Sequence, residues 1–267
     1  MKRLIPLFLA ILLLAGCARR ERVFDSRRNA KPLRPSMEET VPAITLPPET
    51  EPVETEPPAP EHSALYIPGV PVEDVILYFN EVCLDSEYVV SGDPSLVQKW
   101  DAPIRYTLEG SYTEADLATL SAFTDWLNAM EGFPGISETQ DTTLRSLRIC
   151  FCTEEELIGH LGDNFYNTDG GVTFWYSNNV IYEAIICIRT DLDQTLRNSV
   201  ILEELYNGLG PVQDSLLRPD SLIAQAYGQP QWLTPMDELI LKLLYHPDIR
   251  PGMNAQECAQ VIGQLYY

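Results

Sequence analysis

Between Val200 and Gly210 the chain reads VILEELYNGLG, with two carboxylates and an amide at spacings a helix can use. Residues at i and i+4 share a helix face, so Glu203 and Asn207 offer two oxygen ligands side by side, and Glu204 stands next to them. A catalytic metal ion takes three protein ligands and keeps a fourth position for water, and a neighbouring carboxylate activates that water as a base. Glu204 occupies the base position. Carboxylate and amide oxygens are hard ligands, better matched to calcium or magnesium than to zinc, and two of them without a third make a weak site. The commoner meaning of paired glutamates is a solvated helix face. At about 100° per residue, Val200, Glu203 and Asn207 share one side and Ile201, Leu205 and Leu209 the other. The helix is therefore expected to pack one side on a core and turn its polar arc to a cleft or solvent.

The elements that must hold this helix are legible on both sides of it. IRYTLEG, residues 104–110, alternates as a strand does. Thr113 and Asp116 then form a capping-box pattern before EADLATLSAFTDWLNAM, where Leu117, Leu120, Phe123, Leu127 and Met130 recur at helical spacing, until Gly132 and Pro134. LRSLRICFCT reads as a second strand. GGVTFWYSNNVIYEAIICIRT holds two apolar runs around Ser177, Asn178 and Asn179, the composition of a hairpin turn, and its second arm is apolar enough to lie centrally in a sheet. Asp191 and Asp193 precede the helix of interest, predicted from about 194 to 209 and stopped by Gly210 and Pro211. In LTPMDELILKLLYHPDIRPGM, Thr234 is an N-cap, Pro235 suits the first helical position, Asp237 and Glu238 favour the positive helix end, and Leu239, Ile240, Leu243 and Leu244 form a buried stripe. A short helix over 254–265 closes the chain. The sum is an α+β domain, a mixed sheet packed with helices.

Set beside one another, the pattern around 200–210 and its flanks carry a resemblance. VILEELYNGLG has the outline HExxHxxG of the zincin superfamily, especially its metzincin branch, with Glu203 and Asn207 where the two histidines stand. Gly210 matches the glycine turn, and the third-ligand position falls on Gln213 with Asp214 beside it. EEL at 203–205, LG at 209–210, DS at 214–215, SLI at 221–223, LTPMDELILKLLYHP at 233–247 and PGM at 251–253 together resemble a bacterial family known as domain of unknown function 2927. The resemblance covers the C-terminal half of the folded domain and is weaker before Arg145. It implies a zincin-like fold with a degenerate active-site helix and a C-terminal helix. The degenerate cleft would be Glu203, Glu204, Asn207, Gln213 and Asp214, with no metal and no cofactor.

No other constellation replaces the missing imidazoles. His62 lies in a tether, and His160 and His246 lack a second imidazole at ligand spacing; His246 is expected to interact with its own helix C-terminus. Neither Ser199 nor Ser215 sits in GxSxG, and there is no phosphate loop or dinucleotide fingerprint.

The N-terminus, MKRLIPLFLAILLLAGC, joins a short basic start to an apolar run too short to span a membrane, ending in LAGC. LAGC resembles the bacterial lipobox, which implies removal of residues 1–16 as a signal peptide and lipid attachment to Cys17. Two or more acyl chains make a stable anchor, so the mature protein is expected on a cell membrane, facing outside the cytoplasm. Residues 17–62 read as a disordered linker. Seven basic residues from Arg19 to Arg34 suit anionic headgroups, with a solvated stalk as the other reading. A Pro/Glu-rich stretch over 36–62 then buries almost nothing and can extend to roughly 90 Å.

Residues 63–267 form the folded domain. They carry 9 basic and 30 acidic residues, a balance of −21 that excludes a nucleic-acid partner, since phosphate binding needs a basic surface. With Cys17 lipidated, Cys83, Cys150, Cys152, Cys187 and Cys258 remain; five is odd, so they cannot all pair. Cys150 and Cys152 share one face of a strand and cannot easily bond to each other, and buried thiols are expected. Three functions stay open: a non-catalytic zincin-like lipoprotein binding a peptide or cell-envelope partner, a metal-dependent peptidase with non-standard ligands, and a structural or assembly lipoprotein.

Overall fold

A computed structural model describes residues 11–12, 63–84, 95–226 and 228–267. Cys17, the basic segment and the Pro/Glu-rich stretch lie outside the described residues. The strands are β1 (Ile11–Leu12), β2 (Ile104–Gly110), β3 (Ile136–Glu138), β4 (Leu147–Cys152), β5 (Gly170–Ser177) and β6 (Val180–Arg189). The helices are α1 (Val72–Leu84), α2 (Glu114–Ala129), α3 (Glu154–Leu161), α4 (Gln194–Asn207), α5 (Pro235–Leu244) and α6 (Ala255–Leu265), and a 3-10 turn spans Asp163–Phe165.

One mixed sheet runs in the order β1-β5-β6-β4-β2-β3. The strands β3, β2, β4 and β6 are mutually parallel, and β5 returns antiparallel on β6. The expected hairpin is therefore present, and its second arm, β6, lies inside the sheet. Its turn uses Asn178 and Asn179, both in the left-handed region at φ 53° and 64°, which asparagine tolerates and which matches the twist of paired strands.

The two faces of the sheet are covered unequally. Ile149, Phe151, Ile186, Ile188, Val172 and Phe174 point to one side and join the large core made by α1, α2, α4, α5 and α6. The alternate residues Cys150, Cys152 and Cys187 point to the other side, under Leu157, Leu161 and Phe165 of α3 and the 3-10 turn. This is the α+β architecture expected from the chain.

Local signals account for the boundaries. Thr113 caps α2 and Thr234 caps α5, each in a full capping box with an aspartate at the third helical position. Asn254 caps α6 in the same way with Glu257. α3 also starts on a capping box, Thr153 with Glu156, a signal present in the sequence but without the long apolar period that would announce a helix.

Candidate functional site

Both ends of α4 are held from elsewhere in the fold. At its start Asp193 accepts hydrogen bonds from Thr195 N and Leu196 N, at 3.0 and 3.1 Å. Arg197 donates from Nε to Asp116 Oδ1 of α2 at 2.8 Å, and Gln194 reaches the same oxygen at 2.7 Å. Asp116 is fully buried; burial works against its charge, but the bonds from Gln194, Thr113 and Arg197 hold the carboxyl below the usual aspartate range. At the far end the free carbonyls are occupied: Trp100 Nε1 donates to Gly208 O at 2.9 Å and Tyr245 Oη to Leu209 O at 2.8 Å. Gly210 then turns the chain at φ 129°, where a Cβ would stand 2.4 Å from Gln98 O. The glycine turn seen in the sequence is therefore a required one.

The polar arc of α4 does not face a cleft or solvent, nor is it a solvated helix face. Glu203, Glu204 and Asn207 are only 8, 2 and 2 % exposed. β5 packs against the helix at its first residue: a Cβ on Gly170 would fall 3.0 Å from Glu204 Cγ and Oε1 and 2.5 Å from Val200 Cγ1. The sequence reading missed this because the contact joins residues more than thirty positions apart.

Inside that closure the groups are acceptors. Glu204 Oε2 and Asn207 Oδ1 are buried without a hydrogen-bond partner among the described residues. Burial pushes the Glu204 carboxyl well above the usual range, and the charges of Glu203, Asp214 and Asp169 push it further. The structure thus brings Glu203, Glu204 and Asp214 of the expected set within electrostatic reach, and adds Asp169, which precedes β5. Gln213 is placed by its backbone, with N 3.3 Å from Val82 O, on the loop that runs beside the end of α1.

Among the described residues no three His, Cys, Asp or Glu side chains stand together as a metal-holding group. Two carboxyl groups and an amide oxygen are hard donors, better matched to calcium or magnesium than to zinc. His160 belongs to α3, on the opposite face of the sheet from α4. His246 follows α5 and accepts at Nδ1 from Asp248 N at 3.2 Å, so it caps its own turn.

The flanking motifs turn out to be structural. Ser215 bonds Glu81 of α1 at 2.7 Å, and the other Glu81 oxygen accepts from Leu216 N and Leu217 N at 2.7 and 3.1 Å. Asp237 is fully buried, and its Oδ1 takes hydrogen bonds from Tyr78 Oη at 2.9 Å and Ser221 Oγ at 2.7 Å. Its Oδ2 takes Leu222 N at 3.0 Å, Thr234 N at 2.9 Å and Thr234 Oγ1 at 2.8 Å. Tyr206 Oη of α4 bonds the Asp237 carbonyl at 3.0 Å. Asp237 therefore does far more than favour a helix end: it joins α1, α4, α5 and the 221–222 turn. Lys99 is a second buried hub, donating to Leu244 O at 2.7 Å and to Ile249 O, while Met253 O accepts from Val97 N at 2.9 Å. No local pattern in the sequence marks Tyr78, Lys99 or Asp169 for these places.

A comparison with curated proteins returned no match. The family described as "Protein of unknown function (DUF2927)" has a model that matches residues 73–264, so the likeness extends well before Arg145, into α1. From α1 through α6, then, this chain belongs to the family of unknown function 2927.

Proposed function

We propose that this chain is a lipoprotein, anchored through Cys17 to a cell membrane and facing outside the cytoplasm, whose zincin-like domain binds a peptide or cell-envelope partner without catalysis. The observation that carries the reading is the state of α4. A helix with the outline of a metal-site helix is held at both ends, yet Glu203, Glu204 and Asn207 on its polar face are buried, with Gly170 packed against Glu204. A scaffold without its reactive groups supports binding better than turnover. With α4 covered, the surface beside it that suits an extended peptide is the outer edge of β5. Only Thr173 and Phe174 of β5 have a strand partner on that side among the described residues, the two-residue β1. Removal of residues 1–16 as a signal peptide would vacate that pairing, and an extended peptide recognises such an edge through its main chain.

Metal analysis of the purified protein tests this reading: less than a tenth of a zinc per chain is expected on the order-of-magnitude scale of a non-site, and one tightly bound zinc per chain overturns it. The peptidase alternative, with Glu204 as base, predicts turnover lost on chelation and in Glu204→Gln. The assembly alternative is separated by photo-crosslinking in intact cells: capture from Ser177, at the exposed end of β5, supports partner binding here, and capture only from surfaces remote from β5 supports assembly.

A further inference from the structure

Three thiols meet on the face of the sheet that α4 does not use. Cys150 and Cys187 are register partners on the adjacent parallel strands β4 and β6, and Cys152 lies two residues further along β4, opposite Arg189. The Cys187 thiol interacts with those of Cys150 and Cys152, and Cys150 Sγ donates to Glu109 Oε2 at 3.8 Å. All three are buried in one small cluster under Leu157, Leu161 and Phe165.

Spacing selects one pair. Register partners on neighbouring strands have Cα atoms about 4.8 Å apart, inside the range a disulfide spans. Cys152 is displaced from Cys187 by a further two residues along the strand, which places their Cα atoms about 8 Å apart, outside that range. We propose that Cys150 and Cys187 are a redox-active pair that forms a reversible disulfide between β4 and β6, with Cys152 left as a free thiol beside it.

Cys150 is the attacking group. The interaction with Cys187 favours its ionised form, burial opposes it, the Arg148 guanidinium favours it, and the Glu109 carboxylate opposes it, with the balance towards a lowered value. The oxidant is a low-molecular-weight disulfide. The Cys150 thiolate attacks one sulfur of it, forming a mixed disulfide and releasing one thiolate. The Cys187 thiol gives its proton through solvent to the first released thiolate; its sulfur then attacks Cys150 Sγ, closes the Cys150–Cys187 bond and expels the second thiolate, which takes up the proton Cys150 had lost. Two protein thiols are oxidised and one small disulfide is reduced to two thiols. Access runs through local opening of α3, an eight-residue helix that supplies Leu157 and Leu161 as the cover.

The test uses the full chain, folded, treated with oxidised glutathione, quenched by alkylation in denaturant and mapped by non-reducing peptide mass spectrometry. The expected product is one linked pair, Cys150 with Cys187, with two fewer alkylated thiols, reversed by dithiothreitol. Cys187→Ala abolishes the link and Cys83→Ala leaves it, with native near-ultraviolet circular dichroism confirming that each variant is folded. Should Cys187→Ala fail to fold, Cys150→Ala serves the same purpose. Retention of all the thiols after exhaustive treatment of folded protein, or a link through other cysteines alone, overturns the proposal.

Discussion

Gly170 of β5 and Glu204 of α4 are in direct apposition, close enough that the hydrogen of the glycine stands where any side chain would collide with the carboxylate stem. This one contact closes the helix that otherwise has the spacing of a metal site. It also removes Glu204 from water, and burial raises its carboxyl well above the usual range.

Gly170→Ala should cost about 1–3 kcal/mol, because the added methyl forces Val200 and Glu204 out of place in a packed interior. Gly159→Ala in α3 meets nothing within 4 Å and should be neutral or stabilising by up to about 1 kcal/mol. Urea denaturation of both variants checks the contrast; equal effects would remove the role given to Gly170.

Glu204→Gln should stabilise the protein by about 1–3 kcal/mol near pH 7.5, since it removes a buried acid without a bonded partner at Oε2. The folded carboxyl binds its proton more tightly than the unfolded one, whose ordinary value is 4.5, so its share of stability is complete below that pH and declines as pH rises above it. Melting temperatures from pH 4 to 8 should therefore fall less steeply with pH in the variant than in the wild type.

Asp116→Ala should be among the most damaging substitutions, at about 3–5 kcal/mol, because it strands the buried Arg197 guanidinium. The sign with pH is opposite to that of Glu204. Asp116 has its folded value lowered from 3.8, so its contribution is present above that pH and is lost as pH falls through the folded value. A double-mutant cycle with Arg197→Ala should show coupling of more than about 1 kcal/mol.

Asp237→Ala should cost about 3 kcal/mol or more, and Tyr78→Phe about 1–2 kcal/mol, whereas Glu238→Ala, one residue along and partly exposed, should stay within about 1 kcal/mol. Thermal unfolding measures all three. Similar losses at Asp237 and Glu238 would mean that the aspartate acts only on the helix dipole.

The helices α2, α5 and α6 and the β5–β6 hairpin are determined by the sequence alone, because caps, apolar periods and the Asn178–Asn179 turn act within a few residues of one another. The same holds for the common face of Cys150 and Cys152, which the period of a strand dictates. Helix α1 carries a helical signal too: Val75, Tyr78, Phe79 and Val82 recur at i, i+3, i+4 and i+7, and Glu73 and Asp74 lie in its first turn. What Glu203, Glu204 and Asn207 face is another matter. Period places them on one side of α4, yet whether that side meets water or protein depends on Gly170 and Asp169 arriving from β5 and Asp214 from the following loop. Tertiary packing alone decided that, and with it the raised pKa of Glu204, because desolvation is a property of everything within a few ångströms and not of neighbours in the chain.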